Sequence, residues 1–253
     1  MTPVELIDGY YFKRDDKYEI FGVKGGKARA AYQIINNGIN QGFTSFVTAG
    51  SRMSPQCEIV SYICENMGLI CNLFMPNGED TSVINNISKN KNSIIHRCKV
   101  GYNSVICSYA KRFSCEHNSF YIPFGMECED NIEITKHQVK NIPDSVKRIV
   151  IPCGSGMSMI SVLKGLDFYG MFDKKVIGVQ VGKNPIGNLN KFMCNSNNIF
   201  SNIEYEIVKS NIDYHQKAKQ TSFCGIELDP IYEAKCIPFL EKGDLLWIVG
   251  KRL

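Results

Sequence analysis

The stretch IVIPCGSGMSMISVLKGL, residues 149–166, decides the fold of this chain. Its first residues are apolar and β-branched, which predicts a buried strand, and its second half has the spacing of an amphipathic helix. A Gly-Ser-Gly turn at residues 154–156 joins the two. Backbone N–H groups at such a helix N-terminus bind phosphate, because they are unpaired and the helix dipole favours negative charge. An ordinary strand-to-helix turn is the alternative interpretation.

Short β-rich runs alternate with helical patterns on both sides of this stretch. The predicted strands lie at residues 44–50, 69–76 and 174–182, and the predicted helices at 57–68 and 82–90. Alternation of this kind is typical of βαβ units, whose parallel sheets are covered on both faces. We therefore predict an α/β protein built of parallel sheets in three layers.

The order of these runs predicts two domains. After the extended segment SFYIPFGM, residues 119–126, the strand that begins at residue 149 opens a second series of strands. The chain therefore leaves one sheet, builds another and returns to the first. We expect residues 1–30 and 119–253 to form a large domain, into which residues 31–118 are inserted as a small mobile domain.

Composition and charge exclude several classes of protein. Of the 253 residues, 44% are hydrophobic, which is enough for a sizeable core, and the net charge of +4 is spread along the chain, so nucleic-acid binding is not indicated. No apolar run approaches the roughly 20 residues that cross a bilayer, and the first residues lack a signal-peptide pattern. We expect a soluble, cytoplasmic protein.

The eleven cysteines are expected to be free thiols, because the cytosol keeps thiols reduced. Cys57, Cys64 and Cys71 recur every seven residues, but no pair has C-x-x-C spacing and the four histidines are dispersed. Buried small apolar side chains explain this pattern better than metal ligands do. We predict no metal site.

A lysine follows a glycine pair in the segment KRDDKYEIFGVKGGKARAAYQI, residues 13–34. Gly25 and Gly26 have no Cβ, so the backbone there can approach a planar ligand, and Lys27 supplies an amine beside it. A partly desolvated lysine can lose its proton and act as a nucleophile. Lys24 is the rival amine and comes too early in the segment. A surface lysine before a helix is the alternative interpretation.

Two further segments carry candidate binding groups. SRMSPQ, residues 51–56, follows a predicted strand, and its proline suits a first helical turn, so its hydroxyls and backbone N–H groups would bind a carboxylate. Simple capping of the helix by Ser54 is the alternative. LDPIYEAK, residues 228–235, places Tyr232 beside Glu233. A helix dipole favours a carboxylate there even without a ligand.

These segments resemble those of fold-type-II, or tryptophan synthase β-like, pyridoxal phosphate enzymes. Met157 departs from that family's G-S-G-G-T phosphate loop, which is otherwise matched by Gly154, Ser155, Gly156 and Ser158. LDPIYEAK most resembles the D-P-V-Y-E-G-K run of the branch that contains 1-aminocyclopropane-1-carboxylate deaminase and D-cysteine desulfhydrase. The resemblance extends over nearly the whole chain.

The resemblance implies pyridoxal 5'-phosphate as the cofactor and a role for each segment. Lys27 would form a Schiff base with the cofactor aldehyde, residues 154–158 (Met157 included) would hold its phosphate, and Glu233 would face its ring nitrogen. Proton transfer would fall to Lys27, Ser54, Tyr232 and Tyr214, and the substrate carboxylate would bind at Ser51, Arg52, Ser54 and Gln56.

The implied activity is that of a lyase or deaminase acting on an α-amino acid through a Schiff base and a Cα carbanion, in a homodimer. Several polar residues of the family are replaced here, which leaves two alternatives open. One is pyridoxal-phosphate-dependent decarboxylation, or other Cα chemistry, on an amino acid carried by a larger molecule. The other is a degenerate protein that binds the cofactor or a partner without turnover.

Overall fold

The computed structural model describes residues 1–182, 184–193 and 203–250. Its strands are β1 Val4–Ile7, β2 Tyr10–Arg14, β3 Glu19–Ile20, β4 Val23–Lys24, β5 Ser45–Ala49, β6 Ile70–Pro76, β7 Ser93–Cys98, β8 Phe120–Tyr121, β9 Arg148–Cys153, β10 Lys175–Gln180, β11 Glu204–Lys209, β12 Ser222–Phe223, β13 Ile226–Glu227 and β14 Leu245–Ile248. Its α-helices are α1 Gly26–Asn40, α2 Pro55–Asn66, α3 Ser82–Ile87, α4 Asn103–Glu116, α5 Glu129–Lys136, α6 Met157–Phe168 and α7 Ile186–Met193. Short 3₁₀ helices lie at Asp15–Lys17, Phe124–Met126, His137–Asn141 and Glu233–Phe239.

The chain divides into two compact units. The first unit contains Met1–Tyr18 together with the chain from Asn131 onward, and the second unit is Glu19–Asp130. The boundaries expected from the sequence, residues 31 and 118, both lie inside the second unit. Because the second unit begins at Glu19, it contains Lys27, which the boundaries expected from the sequence assigned to the large domain.

The first unit contains a six-stranded sheet in the order β1-β2-β14-β9-β10-β11. In this sheet, the neighbouring strands β2, β14, β9, β10 and β11 run parallel to one another, as the βαβ pattern predicts. The pair β1 and β2 is antiparallel, which the expectation of purely parallel sheets missed. Asp8 and Gly9 join these two strands with φ values of 51° and 80°, the combination that a two-residue hairpin turn requires.

Both faces of the central strands β14, β9 and β10 are buried, which explains why these strands are apolar without alternation. Ile149 and Ile151 of β9 pack with α6 on one face, in a core that also contains Trp247 of β14. Val150 and Leu246 point to the opposite face, in a core that includes residues of the Glu233–Phe239 helix. Because successive side chains of a strand alternate between faces, each strand contributes to both cores.

The second unit contains a four-stranded parallel sheet in the order β7-β6-β5-β8. Val47 and Ala49 of β5 pack with α4 on one face. Thr48 points to the other face, where its hydroxyl accepts a hydrogen bond of 2.9 Å from Gln56 of α2. Helices therefore cover both faces, which gives the three layers that the sequence predicts.

The cysteines of the described residues are free thiols, as expected, and Cys194 lies outside these residues. Cys57, Cys64 and Cys71 are each fully buried, which agrees with their interpretation as small apolar side chains. Within the described part of the chain, no helix is long and apolar enough to cross a membrane.

Candidate active site

The predicted strand, turn and helix at residues 149–166 are present in the first unit. β9 ends at Cys153, and α6 begins at Met157 after Gly156, whose φ of 85° favours glycine. A Cβ on Gly156 would lie 2.8 Å from Cβ of Pro185. The N–H groups of the first turn of α6 have no acceptor within the helix. The turn therefore forms a cradle of backbone donors that an anion can occupy.

Neighbouring residues shape this cradle. A Cβ on Gly154 would lie 3.2 Å from Cε1 of Tyr232, and a Cβ on Gly182 would lie 3.4 Å from the ring of Tyr214 and 3.7 Å from Cα of Gly154. The side-chain amide of Asn188, in α7, donates a hydrogen bond of 2.9 Å to the carbonyl of Ser155. The structure thus brings Tyr232 next to Gly154, and Tyr214 next to Gly182, close to the turn of residues 154–156. Asn188 had no motif around it and was missed.

Glu233 has an unusual environment for a carboxylate. Its side chain is fully buried, and Oε1 accepts hydrogen bonds from the N–H groups of Val249 at 2.9 Å and Gly250 at 3.2 Å. Oε2 is buried and has no hydrogen-bond partner among the described residues. Burial raises the pKa of Glu233 to about 8, and the nearby charge of Asp229 adds to the rise. A buried acceptor without a donor marks a place for a ligand N–H.

The LDPIYEAK segment forms a tight turn that presents this carboxylate. Oδ1 of Asp229 accepts hydrogen bonds from the N–H groups of Ile231 at 2.8 Å and Tyr232 at 3.0 Å. The 3₁₀ helix then begins at Glu233. The turn places the Tyr232 ring beside Gly154 and buries the side chain of Glu233, so one segment contributes both the ring beside the 154–156 turn and the buried carboxylate.

Lys27 is an exposed residue in the first turn of α1 in the second unit. Gly25 caps this helix with a φ of 94°, a conformation that favours glycine. Burial raises the pKa of the nearby Cys57 thiol to about 12, and the positive charge of Lys27 is one of the influences that oppose this rise. The rival Lys24 forms an exposed ion pair of 3.0 Å with Glu19.

The segment of residues 51–56 has the predicted local structure. Ser54 is buried and caps α2, with its Oγ accepting from the N–H of Cys57 at 3.5 Å. The helix end packs closely on the end of β5, because a Cβ on Gly50 would lie 2.5 Å from Ser54 Oγ. Ser51 is exposed, and its hydroxyl accepts from the N–H of Met53 at 3.3 Å.

Arg52 and Gln56, both predicted to bind a substrate carboxylate, make hydrogen bonds within the second unit. Gln56 is buried, and its Nε2 donates to Thr48 at 2.9 Å and to the carbonyl of Pro123 at 2.8 Å. Arg52 donates from Nη1 to the carbonyl of Glu79 at 2.7 Å. These bonds give both side chains a part in holding the loop.

Several solved structures share this fold. A crystal structure of an ACC deaminase homologue superimposes with a TM-score of 0.80 at 18% sequence identity, covering 98% of this chain and 89% of that one. Threonine deaminase isoform 2 of Solanum lycopersicum, in its processed form, gives a TM-score of 0.68 at 14% identity, covering 100% and 84%. The chain has the fold of fold-type-II pyridoxal phosphate enzymes. The expected fold is thereby confirmed.

Sequence comparison adds one relative to the fold-type-II neighbours. The chain is 24% identical over 217 residues to an O-seryl-dTMP PLP-dependent decarboxylase of Salmonella phage ViI. The match covers 73% of this chain and 51% of that protein, so the chain spans about half the length of this curated relative. No family model matches the sequence.

Proposed function

We propose that this chain is a pyridoxal-phosphate-dependent enzyme that acts at Cα of an α-amino acid, as a lyase or deaminase. The observation that carries the proposal is the buried, unpartnered Oε2 of Glu233 in a protein with the fold-type-II fold. The bound cofactor would supply an electron sink for charge that develops at Cα. The first unit has a candidate site for each end of such a cofactor. The backbone donors at the start of α6 suit its phosphate, and the buried acceptor on Glu233 suits its ring N–H.

In this proposal, separate groups bind the ring nitrogen, bind the phosphate and carry the cofactor. Glu233, held by two backbone N–H groups, would keep a ring nitrogen protonated, because a buried carboxylate is stabilised in its charged form by a cation beside it. The N–H groups at the start of α6 would bind the phosphate, and the two glycines let the backbone approach it. Lys27 would supply the amine that carries the cofactor and would move a proton at Cα.

Borohydride trapping tests the role of Lys27. Protein loaded with pyridoxal phosphate is reduced, digested and mapped by mass spectrometry, and we expect the cofactor on the peptide that contains Lys27. Lys27→Ala should lose the label, whereas Lys24→Ala, which changes an exposed ion-paired lysine nearby, should keep it. A label on Lys24, or no label on the wild type, would refute the assignment.

A second candidate function is decarboxylation of an amino acid carried by a larger molecule. The observation in its favour is the sequence match to the phage decarboxylase, whose name specifies a seryl group carried by a nucleotide. A product assay by mass spectrometry distinguishes the two. Release of ammonia and an oxo acid from free amino acids supports the first proposal, and loss of CO₂ from O-seryl-dTMP with retention of the amine supports the second.

The same assay also tests the interpretation of the chain as a non-catalytic protein. Stable binding of the cofactor without conversion of free amino acids or of O-seryl-dTMP would favour a protein that binds the cofactor only. The Glu233→Gln variant supplies the matched control, because it keeps the shape of the side chain and removes its charge. We expect this variant to retain the cofactor and to lose about a hundredfold in the rate of bond cleavage at Cα.

A further inference from the structure

Lys235, the last residue of LDPIYEAK, is a buried lysine whose ammonium group binds two backbone carbonyls. Its side chain is only 1% exposed, and Nζ donates hydrogen bonds to the carbonyl of Asp213 at 2.7 Å and to that of Tyr214 at 3.3 Å. Burying an ammonium group is costly unless acceptors replace its water, and hydrogen bonds from a charged donor are stronger than neutral ones. This lysine therefore fixes the backbone at residues 213 and 214.

The segment that Lys235 holds lies at the phosphate loop. Residues 213–217 are exposed, and the Tyr214 ring lies against Gly182, whose added Cβ would be 3.7 Å from Cα of Gly154. The segment contains neither helix nor strand, and a bond of 2.8 Å between the N–H of Ala218 and the carbonyl of Pro230 closes its far end. An exposed segment of this kind opens easily unless a buried group fastens it.

We propose that Lys235 is a positioning residue that holds Tyr214 beside the phosphate loop. Lys235 follows Glu233 by two residues, so one short segment carries the buried carboxylate and also fastens the tyrosine. The spacing gives a physical reason for a lysine at the end of the motif: its long side chain reaches two carbonyls that lie more than twenty residues earlier in the chain. The role in cofactor binding rests on the proposed function, whereas the fastening of the segment does not.

Hydrogen exchange of the cofactor-free protein, followed by mass spectrometry, tests the fastening. Lys235→Met removes the ammonium group and keeps much of the side chain's length, and we expect exchange in the peptide of residues 211–220 to rise at least about tenfold. Peptides from β9 and α6 should keep their wild-type rates. Lys219→Met, which changes an exposed lysine of the same peptide, is the matched control and should have no such effect. Unchanged exchange in Lys235→Met overturns the proposal, whether or not the protein binds a cofactor.

A double-mutant cycle on cofactor affinity tests the positioning. We expect Lys235→Met and Tyr214→Ala each to raise the dissociation constant of pyridoxal phosphate, and the double variant to bind no more weakly than Tyr214→Ala alone. Additive effects would show that Lys235 does not act through Tyr214. If Lys235→Met does not fold, Lys235→Arg, which keeps the charge but shifts the donors, takes its place in both measurements, with the same outcomes deciding. A wild type that binds no cofactor refutes the proposed function and leaves the exchange result to decide the fastening.

Discussion

Replacing Glu233 with glutamine should stabilise the cofactor-free protein by an amount that grows with pH. In the folded chain, burial and the charge of Asp229 raise the pKa of Glu233 to about 8 from an ordinary value of 4.5. The folded state therefore binds more protons than the unfolded state between these two values, and the free energy of unfolding falls as pH rises through this window. Glutamine at this position resembles the protonated carboxyl group and does not ionise.

The size of the effect follows from the pKa difference. Each pKa unit corresponds to roughly 1.4 kcal/mol, so the stability of the wild type should fall by about 4 kcal/mol relative to Glu233→Gln between pH 5 and pH 9. Relaxation around the ionised group would reduce this figure. The side-chain carbonyl of the introduced glutamine can still accept from Val249 and Gly250, so the two backbone hydrogen bonds persist in the variant.

Urea unfolding at a series of pH values measures this difference. Trp247 is the single tryptophan of the chain, is fully buried and lies in the first unit, so its fluorescence reports the unfolding of that unit. Glu227→Gln, which changes an exposed carboxylate in β13, is the control and should run parallel to the wild type. Parallel profiles for the wild type and Glu233→Gln would show that Glu233 is not buried as described.

Three substitutions test loops that carry candidate binding residues. Gly154→Asp places a charged side chain against the Tyr232 ring and beside the anion cradle, so it should raise the dissociation constant of pyridoxal phosphate about tenfold or more, as fluorescence titration would show, and affect pyridoxal less. Gly50→Ala forces a Cβ to within 2.5 Å of Ser54 Oγ and should destabilise the second unit by about 1–3 kcal/mol in urea unfolding followed by circular dichroism, whereas Gly101→Ala, whose Cβ would lie 3.9 Å from the carbonyl of Lys99, should not. Ser54→Ala removes the cap of α2 and should cost about 0.5–1 kcal/mol by the same measurement; no loss would mean that the 3.5 Å contact contributes nothing.

Local patterns of sequence predicted the parts of the fold that depend on local physics. The run of residues 149–166 specifies a strand, a turn and a helix because each residue type there favours the backbone conformation of its own element. Gly156 takes the left-handed φ that the turn needs. The antiparallel pair of β1 and β2 was missed, because the β pattern of a short strand does not reveal the direction of its neighbour. The Asp8-Gly9 turn was the signal that could have found it.

The candidate site was predictable in its residue types but not in its contacts. Glu233 was singled out from its motif, but its burial and the hydrogen bonds that Oε1 accepts from the N–H groups of residues 249 and 250 bring together parts of the chain that no local pattern connects. Arg52 was expected to bind a substrate carboxylate, and the bond from its Nη1 to the carbonyl of Glu79 in another loop was not predictable from the local sequence. Lys235 was overlooked because a lysine is ordinarily solvated, and its burial depends on carbonyls distant in sequence.

The position of β14 in its sheet has a consequence for how the chain is made. This strand lies between β2 and β9, and Trp247 on it donates a hydrogen bond of 3.0 Å to the buried Asp15, which lies 232 residues earlier. During synthesis β2 emerges long before β14. The sheet of the first unit therefore cannot form completely until nearly all of the described chain has emerged, and until then the edge of β2 that pairs with β14 has no partner strand. The four strands of the parallel sheet in the second unit lie between residues 45 and 121, so this sheet can form during synthesis. Slow translation of the segment that precedes β14 would lengthen the period in which β2 is open to pairing with other chains.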